Sequence, residues 1–146
     1  MTKGNPQGAR ARAKARRLTL QGLYQWQLSG GSAREVIAEL EASQNTKDVD
    51  LEYFEEALRG IVAGSAELDA LFASYLDRPV EQLDPIERGI LLIGVYELKQ
   101  RLDVPWKVVL NEAVELTKAF GADEGHKYIN AVLDKTAAEL RKTERS

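Results

Sequence analysis

The residues most suited to binding chemistry are six positive charges near the start of the chain. They lie between positions 1 and 17, a stretch that contains no acidic residue, and they are Lys3, Arg10, Arg12, Lys14, Arg16 and Arg17. Clustered cations neutralise phosphate groups, and arginine also stacks on unpaired bases better than lysine does. Arginine-rich segments commonly become ordered when they bind RNA. The cluster therefore predicts an RNA-binding segment, and the alternative is a solubilising tail.

The rest of the chain has the opposite charge, with 14 basic and 23 acidic residues, so that the whole chain carries −3. An acidic body repels nucleic acid, whereas a basic segment attracts it. We therefore expect the attraction for phosphate to come from the basic segment at positions 1–17.

Sequence patterns of common enzymes and cofactor sites are missing. The chain has no cysteine, which excludes disulfides, thiolate metal sites and a cysteine nucleophile, and His126 is its one histidine. A single histidine cannot supply the two Glu-x-x-His pairs of a di-iron bundle, and neither GxGxxG nor GxxxxGK[ST] occurs. Paired acids such as Glu55-Glu56 fall among counter-charges on predicted helices and are interpreted as solvated faces. We expect no enzymatic activity, no metal and no cofactor.

A second candidate surface is the predicted start of the last long helix, at residues 123–128. Asp123 is interpreted as the N-cap and His126 as a polar residue of the first turn, with metal binding by this pair as the minor alternative. Free N–H groups at a helix start attract acceptors, and Tyr128 can stack on a base. Ordinary half-buried packing of Tyr128 is the alternative interpretation.

Helices must position these residues, because hydrophobic residues recur at helical spacing and no alternating segment of four or more residues appears. The best-defined helix lies within residues 83–105, where apolar residues occupy nearly every side, so we expect neighbours to enclose it. Asp84 is a good N-cap, Pro85 suits the first position, and Glu87 can complete a capping box. The sequence thus predicts an all-α protein of about seven helices.

The first predicted helix runs from near residue 10 to a stop at residues 29–31. Its apolar stripe is predicted to consist of Ala13, Leu20, Leu23, Tyr24 and Leu28. At about 100° per residue, Arg12 and Arg16 lie on one shoulder of that stripe, and Arg10, Lys14 and Arg17 lie on the other.

The remaining helices have recognisable ends. Ser32 and Glu35 have capping-box spacing, Asp48 or Asp50 caps the third helix, and the residues after Leu140 are expected to fray. Residues 1–9 are expected to form a flexible basic leader. No apolar run spans a bilayer and no secretory signal is present, so we expect a cytoplasmic protein.

Five motifs between Ala15 and about Ala137 resemble the NusB family of bacterial transcription antitermination factors. They are ARxxxxQxLYxWQL at 15–28, DVDxxYF at 48–54, IERxILxxGVYEL at 86–98, DVPxKVVLNEAVELxKxFG at 103–121 and HKYINxVLDK at 126–135. Their order and spacing make the resemblance far more specific than any single motif.

This resemblance implies a single all-helical domain at residues 10–146, built from two packed sub-bundles at about 10–64 and 65–140. It also implies a non-enzymatic function. Members of the family pair with NusE, a small-subunit ribosomal protein, and the pair binds the single-stranded boxA element of nascent RNA, notably in ribosomal RNA operons. The assembly then helps to make RNA polymerase resistant to termination.

The resemblance also implies roles for particular residues. RNA phosphates would be held by Arg10, Arg12, Lys14 and Arg16, the bases would lie near Glu124, Lys127 and Tyr128, and NusE would lie near Tyr24, Glu81 and Glu87. Structural alternatives exist, because Tyr24 lies on the predicted apolar stripe and Glu87 in the predicted capping box.

Two other functions are considered. NusB-like domains form the front part of RNA cytosine methyltransferases, but a chain that ends at Ser146 is expected to lack the glycine-rich cofactor domain of such an enzyme. An all-helical protein-binding scaffold with an inert basic segment is the third possibility.

Overall fold

The computed structural model describes residues 8–145, which contain no β-strand. The helices are α1 (Ala9–Ser29), α2 (Ala33–Ser43), α3 (Leu51–Ala63), α4 (Ser65–Phe72), α5 (Pro85–Gln100), α6 (Trp106–Phe120), α7 (Gly125–Leu140) and α8 (Lys142–Arg145). Two short 3₁₀ turns, Ala73–Tyr75 and Val80–Gln82, lie between α4 and α5. The all-helical prediction is confirmed, although this range holds eight α-helices rather than about seven.

The described residues divide into two compact units between Ala63 and Gly64. Helices α1 to α3 form the first unit, and α4 to α8 form the second. The predicted packing of two sub-bundles against each other stays a prediction. The predicted flexible leader lies outside the described residues up to residue 7, and helix α1 already begins at Ala9.

In the first unit, α1 packs against both α2 and α3. The predicted apolar stripe is wrong in part, because Tyr24 is 42% and Leu28 59% exposed. The buried face instead includes Ala11, Ala15, Leu18, Thr19 and Gly22. A helix held between two others buries small residues wherever a neighbour comes close: a Cβ on Gly22 would lie 3.0 Å from Leu58 Cδ2.

In the second unit, α5 is enclosed by α4, α6 and α7, as the sequence predicts. All ten residues from Gly89 to Leu98 are buried. The Asp84 side chain accepts the backbone N–H of Glu87 at 2.8 Å and so caps the start of the helix. A Cβ on Gly94 would lie 2.8 Å from Leu133 Cδ1, so glycine at this position allows α5 and α7 to approach closely.

The end of α5 is capped by the C-terminal segment that the sequence predicts to fray. Arg141 is only 5% exposed. Its guanidinium donates to the carbonyl oxygens of Leu98 at 2.8 Å, Glu97 at 3.0 Å and Arg101 at 3.1 Å. The Glu97 and Arg101 carbonyls also accept backbone N–H groups, from Arg101 at 3.0 Å and from Val104 at 2.9 Å. Arg141 therefore matters most for the Leu98 carbonyl, which burial would otherwise make costly to leave unpaired. The expectation of fraying is therefore wrong for residues 141–145.

Helix α8 also reaches the start of α6. The Glu144 carboxylate accepts the backbone N–H of Trp106 at 3.1 Å and pairs with Arg141. The hydrogen bond from the Trp106 N–H is the main cause that lowers the pKa of Glu144 below its usual value, and Arg141 lowers it further. A carboxylate at this N-terminus complements the positive end of the α6 dipole.

Two carboxyl groups meet between α2 and α3. Glu41 hydrogen-bonds to Glu55, and the Glu41 Oε2 atom is buried without a hydrogen-bond partner in the described part of the chain. The Glu55 hydrogen bond, then burial and the Glu55 charge, raise the pKa of Glu41 from 4.5 to about 7, while Arg59 opposes the shift. Glu41 therefore loses its proton near neutral pH.

We expect Arg141→Ala to lower the free energy of unfolding by about 2–4 kcal/mol, because the carbonyl oxygens at the end of α5 lose their charged donor. Urea denaturation measures the change. The matched control is Lys142→Ala, which changes an exposed neighbour and should stay within about 0.5 kcal/mol of the parent. Equal effects of the two substitutions would show that Arg141 does not stabilise the fold.

Stability should also depend on pH through Glu41. The folded chain holds this proton to a higher pH than the unfolded chain, so the free energy of unfolding should fall between about pH 4.5 and about pH 7. Glu41→Gln should thus raise the free energy of unfolding at pH 8 by about 1 kcal/mol. This is less than the full pKa shift corresponds to, because the group is partly exposed.

Thermal unfolding at pH 5 and pH 8 measures this effect. At pH 5 the Glu41→Gln variant should match the parent. Glu115→Gln, which changes an exposed carboxylate on α6, should not alter the difference between the two pH values. A gain that is equal at both pH values would exclude proton loss from Glu41 as its cause.

Candidate nucleic-acid interface

The first turn of α1 carries positive charge where a helix favours negative charge. Its N-cap is Gly8, with no side-chain hydrogen bond, and the first turn contains no acidic residue. Arg10 and Arg12 therefore add to the positive end of the helix dipole instead of offsetting it. Such an arrangement costs helix stability and attracts an external anion.

The two shoulders of α1 have different environments. Arg12 and Arg16 face α3, where the Arg12 guanidinium lies 4.2 Å from the centroid of the Tyr53 ring and that of Arg16 lies 5.7 Å from it. Arg12 Nε is also 3.9 Å from Asp50 Oδ2. Arg16 is only 3% exposed. These two arginines attach α1 to the start of α3.

Asp50 organises this contact. Its side chain accepts the Tyr53 backbone N–H at 3.1 Å and its own backbone N–H donates to the Ala11 carbonyl at 3.2 Å. Of the two caps proposed for α3, the structure therefore selects Asp50. Asp48 instead adopts a left-handed backbone conformation with φ of 64°.

The other shoulder of α1 is open to solvent. Arg10 and Arg17 are exposed and Lys14 is partly exposed, and none of the three forms an ion pair with residues 8–145. Burial of Arg16 removes the basis for its predicted direct contact with phosphate. Arg17 is part of the basic segment, but it is not among the residues predicted to bind RNA. Helical spacing places it on the same face as Arg10 and Lys14, and this pattern could have added it to that prediction.

Tyr128 lies in a polar cluster with the loop before α5. Its hydroxyl donates to Asp77 Oδ1 at 2.9 Å and accepts the Asp77 backbone N–H at 3.2 Å. The Arg78 guanidinium lies 4.9 Å from the ring centroid. The tyrosine is thus half-buried and one ring face is covered by a cation, so a ligand would meet Arg78 together with Tyr128.

Arg78 contacts two carboxylates in addition to the Tyr128 ring. Its Nε and Nη2 atoms contact Asp77 Oδ1 at 2.7 Å and Oδ2 at 3.2 Å, and its Nη1 atom lies 3.8 Å from Glu87 Oε1. Arg78 and then the Tyr128 hydroxyl lower the pKa of Asp77, whereas burial chiefly raises the pKa of Tyr128. At neutral pH the cluster therefore contains an ion pair and a neutral phenol.

Helix α7 begins without the predicted side-chain cap. It starts at Gly125, and its N-cap is Glu124, which has a left-handed backbone and makes no side-chain cap. The prediction of Asp123 as the cap is therefore wrong, since the left-handed Glu124 moves the helix start one residue onward. Glu124 and Lys127 form an exposed ion pair of 2.7 Å beside Tyr128.

The three residues that are predicted to lie near NusE differ in how exposed they are. Tyr24 is 42% exposed on α1, and Glu81 is exposed in the second 3₁₀ turn. The Glu87 side chain is only 16% exposed, and its carboxylate faces Arg78 instead of completing the predicted capping box. Tyr24 belongs to the first unit, and Glu81 and Glu87 belong to the second.

The described residues contain neither a metal-holding cluster nor a membrane-spanning helix. Between residues 8 and 145, no group of three or more His, Cys, Asp or Glu residues could hold a metal ion. Within the same range, no helix has the length and apolar character needed to cross a membrane.

Comparison with known sequences gives one family. The model of the NusB family matches residues 13–138. The transcription antitermination protein NusB of Alcanivorax borkumensis is 49% identical over 142 residues, which cover 97% of this chain and 95% of the relative. The protein of the same name from Pseudoalteromonas atlantica is 52% identical over 136 residues, which cover 93% and 97%.

Solved structures give the same result. The structure of T. maritima NusB has a TM-score of 0.79 and 26% identity, and the match covers 91% of this chain and 95% of that one. A chain in the crystal structure of antitermination factors NusB and NusE in complex with dsRNA has a TM-score of 0.79 and 27% identity, with coverage of 90% and 99%.

The different environments of Arg16 and Arg17 on α1 can be tested by measuring the free energy of unfolding of two variants. We expect Arg16→Ala to lower the free energy of unfolding by about 1–3 kcal/mol, because it removes a buried side chain beside Tyr53. Arg17→Ala, the matched control on the exposed shoulder, should change it by less than about 0.5 kcal/mol. Urea denaturation compares the two, and equal losses would contradict the structural role of Arg16.

Proposed function

The chain belongs to the NusB family, and we propose that it acts as a transcription antitermination factor that binds RNA together with NusE. The observation that carries this proposal is the family match, which extends over nearly the full length of both this chain and its relatives. The function is non-enzymatic, and it takes place in the cytoplasm, where nascent bacterial transcripts are made.

RNA phosphates are held first by the open shoulder of α1. Arg10, Lys14 and Arg17 present three cations that have no ion pairs within the described chain, and Arg10 lies in the first turn of α1, which contains no acidic residue. Arg12 contributes charge while it is held at Tyr53, and Arg16 positions α1 instead of contacting RNA. Counterion release from the phosphates favours binding and makes it dependent on salt.

RNA bases are received by the residues at the start of α7. Arg78 covers one face of the Tyr128 ring, so a base stacks on the outer face of the guanidinium or contacts the exposed edge of the ring. Lys127 can exchange its exposed ion pair with Glu124 for an RNA phosphate, which leaves the Glu124 carboxylate to accept base amino groups.

NusE is bound by Tyr24, Glu81 and Glu87. Tyr24 offers an exposed aromatic ring with a polar tip, a residue type that is enriched in protein interfaces. The two glutamates offer carboxylates that suit a cationic partner. With RNA and NusE bound, the chain helps RNA polymerase to pass terminators.

The RNA ligand in this proposal is the single-stranded boxA element of nascent transcripts, notably those of ribosomal RNA operons. Stacking groups and cations serve an unpaired strand, whose bases are accessible. The related complex of NusB and NusE contains dsRNA, so a duplex is the competing ligand that an experiment must include.

We expect the triple substitution Arg10→Ala, Lys14→Ala and Arg17→Ala to weaken binding of a single-stranded boxA RNA about tenfold or more. The slope of log affinity against log salt should become shallower by about 2, because three phosphate contacts are lost. Fluorescence anisotropy across a salt series, with and without NusE, measures both quantities. NusE affinity should stay unchanged.

The matched control is Lys99→Ala, Lys118→Ala and Lys135→Ala, which removes the same charge from exposed positions on α5, α6 and α7. An equal loss of RNA affinity in this control would remove the special role of α1. Tighter binding of the duplex than of the single strand would contradict the choice of ligand. Binding of NusE without binding of RNA would indicate a protein-binding scaffold instead.

A further inference from the structure

Arg78 connects a proposed RNA-binding residue to a proposed partner-binding residue. Its guanidinium covers the ring of Tyr128 and its Nη1 atom lies 3.8 Å from Glu87 Oε1. All three residues belong to the second unit, and no sequence pattern singles out Arg78.

The three nitrogen atoms of this guanidinium are not equivalent. Nε and Nη2 are occupied by the two oxygens of Asp77, which form a bidentate pair. Nη1 faces a third group, the Glu87 carboxylate, at 3.8 Å, which is an ion-pair contact longer than a hydrogen bond. The Arg78 side chain is 36% exposed, so solvent and ligands can reach it.

The local charge opposes RNA while this arrangement holds. One guanidinium faces two carboxylates, Asp77 and Glu87, so the cluster beside Tyr128 has a net charge of −1. A phosphate that approaches Nη1 must compete with Glu87 and is also repelled by it. Withdrawal of Glu87 would remove both effects at once.

We propose that Arg78 couples the two binding surfaces, with Glu87 and an RNA phosphate competing for its Nη1 atom. A partner that supplies a cation or hydrogen-bond donor to Glu87 releases this nitrogen, and Arg78 then binds phosphate while it remains on Tyr128 and Asp77. The inference rests on the proposed function, in which Tyr128 receives RNA and Glu87 receives NusE.

The coupling must act in both directions. If NusE raises RNA affinity by a given factor through this cluster, RNA raises NusE affinity by the same factor. The exposed setting makes the contribution modest, since ion pairs of this kind change affinities by about two- to fivefold. Arg78 is therefore a positioning and coupling residue and not the main source of affinity.

A double-mutant cycle in the full chain tests this inference. The variants are Glu87→Gln, Arg78→Gln and both together, and the probe is single-stranded boxA RNA at fixed salt, with and without NusE. Glu87→Gln should raise RNA affinity without NusE about two- to fivefold and reduce the enhancement by NusE by a similar factor. In the Arg78→Gln background, Glu87→Gln should no longer raise RNA affinity.

Glu115→Gln is the matched control, because it removes an exposed carboxylate of the same unit, on α6, that has no proposed binding role and forms no ion pair within residues 8–145. It should leave RNA affinity without NusE nearly unchanged. An equal rise in Glu115→Gln and Glu87→Gln would overturn the inference, because general charge would then explain the effect. This comparison needs no change at Arg78, so it decides the matter even if Arg78→Gln fails to fold.

Failure of the inference can be distinguished from failure of the proposed function. If the unchanged chain binds boxA RNA and NusE enhances that binding, but the cycle shows no coupling between Arg78 and Glu87, then only the inference is wrong. If the unchanged chain binds no boxA RNA with or without NusE, the proposed function is wrong and the inference falls with it.

Discussion

Burial of α5 on every side is the constraint on which the second unit depends. Where this burial reaches the last turn of the helix, at Leu98, a carbonyl cannot turn to water and another side chain must satisfy it. Asp84 serves the first turn and Arg141 serves the last carbonyls. The close contact at Gly94 and the ordered segment at 141–145 are both consequences of this enclosure.

Much of the fold could be predicted from the sequence, because its signals are local. The capping box at Ser32 and Glu35, the cap at Asp84 and the enclosed helix around residues 89–98 all follow from spacing along a single helix. The errors concern features that depend on neighbours. Burial of small residues on α1 depends on where α2 and α3 pack, and the order of the C-terminal residues depends on α5.

The candidate site was less predictable for the same reason. Positive charge at positions 10–17 is visible in the sequence, but which arginines are buried depends on Tyr53 and Asp50, which lie in α3 and just before it. The contact of Tyr128 with Asp77 joins positions 51 residues apart. Arg78 lies in an irregular loop with no periodic pattern, so only the folded structure reveals its contacts.

The cap on α5 also bears on the order of events during synthesis. The Arg141 side chain reaches the Leu98 carbonyl across 43 residues of sequence, so α5 stays incomplete until that later segment has left the ribosome. The contacts of α1 with α2 and α3, in contrast, need no part of the chain beyond Ala63. Because domains generally fold as units from the N-terminus during translation, helix α1 can pack against α2 and α3 while the rest of the chain is still being made.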